Sequence, residues 1–205
     1  MNDSPYDLPP GNPFSTRNVR PGSIAYLFPS GDNAESVVGR LRENDWKGAV
    51  VGPHGSGKST LLATLQPVLV SHGRDLVRFT LRDGQRCLPA ETSDNNWHAH
   101  TLLVIDGYEQ LSRASRRQLF RMIAQKGSGL LITTHDAPVL LEVFRTGTDI
   151  HAFRKIARSL ASSHHDGEQE VITNDQIDAA FARHEPDLRE ALFELYDRFE
   201  EQRSH

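Results

Sequence analysis

The sequence predicts an α/β fold, with a three-layer core built on a mostly parallel sheet and a small C-terminal helical lid. Three observations predict it. Apolar runs at Ala49-Val-Val51, Thr101-Leu-Leu-Val-Ile-Asp106 and Gly129-Leu-Leu-Ile-Thr-Thr134 alternate with helical patterns. Strands this apolar on both faces suit a sheet covered on both sides. A glycine-rich turn joins the first run to a helical pattern, and the last third of the chain carries helical periodicity alone. The boundaries follow: an extended Pro-rich arm over 1–23, a core over 24–147 and a helical lid or partner-binding bundle over 148–205.

A chain of 205 residues can bury one sizeable core with a small accessory unit. At 37% hydrophobic and 24% charged residues it belongs among globular chains. The formal charge of -4 argues against a wholly basic nucleic-acid binder, while leaving room for a local basic patch. Cys87 is the only cysteine, so no internal disulfide or cysteine metal cluster can form, and a reduced, cytoplasmic setting fits. No apolar run is long enough to span a bilayer, so membrane insertion is not expected, and the opening Met1-Asn-Asp-Ser-Pro5 lacks the pattern of a signal peptide.

In chain order, Pro5, Pro9, Pro10, Pro13 and Pro21 exclude a sustained helix or central strand from the arm. Phe14 there either stacks on a ligand or packs on the protein surface. Ile24 to Phe28 reads as a short strand or turn, residues 33–42 as a helix, and Ala49 to Val51 as the first core strand. The next helix begins near Lys58, buries Leu61, Leu62 and Leu65, and is expected to kink or end near Gln66 because Pro67 follows. Leu76 to Leu81 alternates like a strand, and residues 82–98 are polar and irregular. After the third apolar run, Pro138 is expected to open a helix capped near Asp136 and packed down by Leu140, Leu141, Val143 and Phe144. Further helices are read at Ile150 to Leu160, after the capping box Thr173-Asn-Asp-Gln176, and beyond Glu185-Pro186.

The chemistry concentrates in Gly52-Pro-His-Gly-Ser-Gly-Lys-Ser-Thr60, which fits Gly-x-x-x-x-Gly-Lys-[Ser/Thr]. Its glycines let successive N–H groups turn inward on phosphate oxygens, and the following helix adds its positive dipole end. Gly52, Pro53, His54, Gly55, Ser56, Gly57, Lys58, Ser59 and Thr60 are therefore the candidate nucleotide-binding residues. Lys58 is expected at the β/γ-phosphates, and the Ser59 hydroxyl in the shell of a Mg²⁺ ion. Asp106 ends an apolar strand at the sheet's carboxyl edge, where it is expected to share that metal. Glu109, three residues on, either polarises an attacking water or pairs with a following arginine. His135 ends the third run and either contacts the γ-phosphate or bonds a backbone carbonyl.

These segments resemble the P-loop ATPases with an additional core strand, the class containing the ATP-binding-cassette and AAA+ proteins. The matching parts are residues 52–60, 101–106 and 130–136, and the resemblance covers about residues 45–140. It implies ATP and Mg²⁺ as ligands, Lys58, Ser59 and Asp106 as phosphate and magnesium residues, and His135 as a switch histidine. It also implies a lid over the nucleotide in residues 148–202. Two features depart from the cassette pattern. Gly107 stands where those proteins carry the catalytic glutamate, and no Leu-Ser-Gly-Gly-Gln sequence occurs.

Arg113, Arg116, Arg117, Arg121 and Lys126 make one helix face basic. That face is a solvated surface, a contact to DNA or RNA phosphates, or an arginine donor to a neighbouring subunit. The resulting expectation is an ATPase whose nucleotide state switches the lid, self-association or a protein partner. The alternatives are a regulatory or scaffold module with negligible hydrolysis and a small-molecule kinase. The Asn/Thr-Lys-x-Asp pattern of guanine readers is missing after the core.

Overall fold

Five strands form a single sheet in the order β2-β3-β4-β1-β5, every neighbouring pair parallel. They are β1 (Lys47–Val51), β2 (Asp75–Thr80), β3 (Thr101–Asp106), β4 (Gly129–Thr134) and β5 (Glu142–Arg145). The computed structural model describes residues 12–89, 96–135, 139–162 and 172–203. Helices are α1 (Thr16–Val19), α2 (Ala34–Glu43), α3 (Lys58–Ser71), α4 (Arg113–Lys126), α5 (Ile150–Ser162), α6 (Asn174–His184) and α7 (Leu188–Arg203). The chain divides into two compact units, Ala25–Gly147 and the combination of Met1–Ile24 with Thr148–His205.

In the first unit the strands are buried on both faces, as their lack of alternation requires. Val50, Leu102, Val104 and Leu131 pack with α2 (Val37, Val38, Leu41) and α3 (Leu61, Leu62, Leu65, Leu69). Ala49, Val51, Leu103, Ile105, Leu130 and Ile132 pack on the other face with Leu119 and Ile123 of α4. The three expected layers are therefore present. All strands point the same way, so the carboxyl ends of β1, β3 and β4 share an edge.

In the second unit α5, α6 and α7 bury Phe153, Ala157, Leu160, Ile177, Phe181, Leu192, Leu195 and Phe199 together. Helix α6 starts at the expected capping box, Thr173 accepting from the Gln176 N–H while the Gln176 side chain accepts from Thr173. Phe14 is fully buried in this cluster, its ring edge-on to Phe199 at 6.4 Å. Packing, not ligand stacking, accounts for it.

Four local expectations are corrected. The Pro-rich segment holds one helical turn, Thr16–Val19, short enough to fit between Pro13 and Pro21. Residues 24–28 form no strand; Tyr26 and Phe28 instead pack edge-on against Phe144. Helix α3 runs through Pro67 to Ser71 because Leu69 extends the buried stripe of Leu61, Leu62 and Leu65, while Pro67 itself is exposed. That burial outweighs the one helical hydrogen bond that proline removes.

The fourth correction matters most for the site. Residues 142–145 are a strand, not part of a helix, and pair in parallel with β1. The register shifts between Ala49 and Val50, where the partner jumps from Glu142 to Phe144. This bulge lets the consecutive Val143 and Phe144 both pack into the α2–α3 cluster. Consecutive apolar residues of this kind mimic a helical face in sequence. The expected cap Asp136 and Pro138 lie outside the described residues.

Candidate functional site

Between β1 and α3 the chain turns through Gly55 and Gly57 at φ +66° and +88°, values that favour glycine. Gly57 then caps α3, with Leu61 N–H donating to its carbonyl. Behind the turn, a Cβ on Gly52 would stand 2.0 Å from Thr146 Oγ1. Thr146 is buried, and its hydroxyl lies 2.6 Å from Ser56 Oγ. Ser56 also donates to Pro53 O at 2.8 Å. The end of β5 thus closes against the back of the loop.

Lys58 is buried, and its ammonium donates to Gly52 O at 2.7 Å and Pro53 O at 2.6 Å. Its third close neighbour is His135 Nδ1 at 3.1 Å. The other ring nitrogen, Nε2, lies 3.2 Å from Glu109 Oε1. Burial and then the Lys58 ammonium hold the His135 pKa below its ordinary value, against the opposing pull of Glu109. In the neutral ring Nε2–H donates to Glu109, and Nδ1 accepts from Lys58. Protonation would turn an Nδ1–H toward the ammonium. His54, in the loop, stacks on the His135 ring with centroids 3.6 Å apart.

Asp106 is buried at the end of β3, and both its oxygens are engaged. Ser59 Oγ donates to Oδ2 at 2.6 Å, and Thr133 Oγ1 donates to Oδ1 at 2.8 Å. Thr133 in turn accepts from the Gly107 N–H at 2.8 Å, tying β4 to the turn after β3. Arg78 of β2 approaches Asp106 Oδ2 at 3.9 Å.

Gly107 has φ +85°, and a Cβ there would stand 2.8 Å from Leu81 O. A glutamate directly after Asp106 is therefore excluded by backbone conformation and by contact with a main-chain oxygen. The first carboxylate beyond it is that of Glu109, carried on the 3-10 turn Tyr108–Gln110. Its Oε2 is buried without a hydrogen-bond partner. Arg116 Nη2 donates to the Glu109 backbone carbonyl at 2.7 Å and sits over the Tyr108 ring. The arginine pairing weighed from sequence exists, but through the main chain.

Lys58, Ser59, Asp106, Glu109 and His135 are thus joined by direct contacts around one edge of the sheet. Gly52, Pro53 and His54 touch that network, and Gly55, Ser56, Gly57 and Thr60 complete the turn and the first residues of α3. Thr146 and Arg78 were missed from sequence. Thr146 could have been found by recognising a fifth parallel strand, whose end must reach the same edge. A polar residue within β2 was the only signal for Arg78.

No protein-family model matches the chain, and no curated protein matches it in sequence. Its fold is similar to three solved structures. The Walker-type ATPase PABY2304 of Pyrococcus abyssi has a TM-score of 0.59 at 11% identity, covering 92% of this chain and 74% of that one. The S. cerevisiae Hsp104–ADP complex gives 0.55 at 13%, covering 89% and 32%. A variant of Thermotoga maritima RuvB gives 0.52 at 16%, covering 78% and 57%. The chain spans about a third of the Hsp104 chain and somewhat over half of RuvB. These likenesses establish an α/β fold of the kind found in P-loop ATPases.

Proposed function

We propose that the protein binds ATP with Mg²⁺ at residues 52–60 and hydrolyses it, using the change of nucleotide state to switch its helical unit or a partner. The observation that carries this reading is the Ser59–Asp106 contact of 2.6 Å, made beside the loop that buries Lys58. A hydroxyl and a carboxylate, both oxygen donors, suit a hard cation such as Mg²⁺. When bound, that ion would neutralise charge on the β- and γ-phosphates.

The chain's own residues have separable roles. Loop amides and the α3 N-terminus bind phosphate oxygens. Lys58 exchanges its bonds to Gly52 and Pro53 carbonyls for phosphate oxygens and stabilises charge on the transferring group. Glu109 orients the attacking water through the carboxylate oxygen that lacks a protein partner, and His135 holds that carboxylate from the other side. Thr133 and Ser59 keep Asp106 ionised by donating to it.

A regulatory module with negligible hydrolysis is the second reading. It is favoured by Gly107, which displaces the first available carboxylate to a turn where His135 already engages it. Equilibrium titration of Lys58→Ala with Mg-ATP, paired with phosphate release by the wild type, tests both readings. Lys58→Ala is expected to weaken binding about 10- to 150-fold, the worth of a charged hydrogen bond. Affinity within a few-fold of wild type would end the first reading and the second alike. Tight binding without phosphate release would leave the second.

A further inference from the structure

Helix α4 presents Arg113, Arg117 and Arg121 on its exposed side, each four residues from the next. None of the three forms an ion pair with a described residue. With Arg116 they border an open depression of about 390 Å³, floored by Phe120 and by Val139, which is 60% exposed. No carboxylate lines it among the described residues. This is a concentrated cationic surface on a chain whose net charge is -4.

We infer that this face of α4 binds single-stranded nucleic acid. Four residues of helix advance about 6 Å, so the three arginines make a cationic ladder with a repeat similar to that of phosphates along an extended strand. Arginine suits the role because its planar fork meets phosphate oxygens in pairs. Any nucleic-acid strand carries regular charge whatever its sequence, whereas an acidic peptide matches the ladder only with carboxylates at chosen positions. The apolar floor selects the single strand. Unpaired bases offer faces to Phe120 and Val139, while a duplex hides its bases and presents phosphates and groove edges. The surface is independent of the ATP reading, since it involves neither the loop nor the residues that touch it, apart from Arg116.

The test is fluorescence anisotropy of the full chain with a labelled oligothymidylate of about 16 nucleotides. With three phosphate contacts, raising salt from about 50 to 200 mM should weaken binding about 20-fold. Arg117→Ala/Arg121→Ala should reduce affinity at low salt at least about tenfold and cut the salt effect to about threefold. Both side chains are exposed, and Arg117→Lys/Arg121→Lys, which keeps the charge, should retain most binding. The alanine variant must melt at the wild-type temperature for the comparison to count. Arg116 is left intact because it holds the Glu109 carbonyl. Wild-type affinity in the alanine variant would overturn the inference. So would equal or better competition by the matching duplex or by polyglutamate of equal charge.

Discussion

Thr146 Oγ1 lies 2.6 Å from Ser56 Oγ, so the residue just after β5 is bonded to the middle of the phosphate loop. Thr146→Val keeps the shape of the side chain and removes the hydroxyl. The Ser56 hydroxyl would keep Pro53 O as its acceptor. The variant should lose about 1–2 kcal/mol of stability in denaturant unfolding and bind ATP more weakly, since the loop would be less ordered before the ligand arrives. Thr146→Ser should behave close to wild type. An equal loss in both variants would assign the effect to methyl packing instead.

Gly107 and Glu109 make opposite predictions about where a catalytic carboxylate can stand. Glu109→Gln keeps the size of the side chain and removes its capacity to accept a proton from water. Phosphate release should fall by about 10²- to 10⁴-fold, with Mg-ATP affinity little changed. Gly107→Glu should not supply a substitute. It forces a side chain at φ +85° against Leu81 O, and should cost about 1–3 kcal/mol of stability. Unchanged turnover in Glu109→Gln would remove Glu109 from the reaction.

How much of this was legible in sequence depended on how local the signal was. The loop, the Asp106 strand and the capping box at Thr173 each carry their pattern within a few residues. β5 did not. Val143 and Phe144 are adjacent because a bulge turns both toward one cluster, and adjacency of apolar residues erases the strand's alternation. Reading that strand as a helix concealed Thr146. Pro67 misled in the opposite direction, since the buried Leu69 carries α3 beyond it. The glycine at 107 registered as a departure from a family pattern, but its reason, a left-handed turn under Leu81, is tertiary.

His135 gives the protein a pH dependence whose sign follows from its surroundings. Lys58, Glu109 and His54 face its ring, and burial with the Lys58 charge lowers its pKa below the unfolded value of 6.5. The neutral ring is thus preferred more strongly in the folded chain. Its contribution to stability is present above pH 6.5 and is lost as pH falls through the lowered folded value. His135→Gln cannot titrate there. Between about pH 8 and pH 5 the wild type should lose melting temperature relative to this variant, the difference growing as pH falls. Parallel curves would mean that His135 titrates as it does in the unfolded chain.

Phe14 anchors the N-terminal segment in the helical unit and is the largest consequence of a residue that sequence left ambiguous. It is fully buried against Phe199, and Asn12 nearby donates to Tyr196 O at 2.9 Å and to Glu200 Oε1 at 2.8 Å. The Phe14 N–H also returns to Asn12 Oδ1 at 2.9 Å, so ring and backbone are fixed together. Phe14→Ala would open a cavity among Phe153, Leu195 and Phe199 and should cost about 3–5 kcal/mol. Phe14→Leu, which fills most of the volume, should cost clearly less. Hydrogen exchange separates this from a ligand-stacking role. Amides of α5 to α7 should lose protection in Phe14→Ala without nucleotide present, whereas a base-stacking residue would leave them unchanged and weaken ATP binding alone.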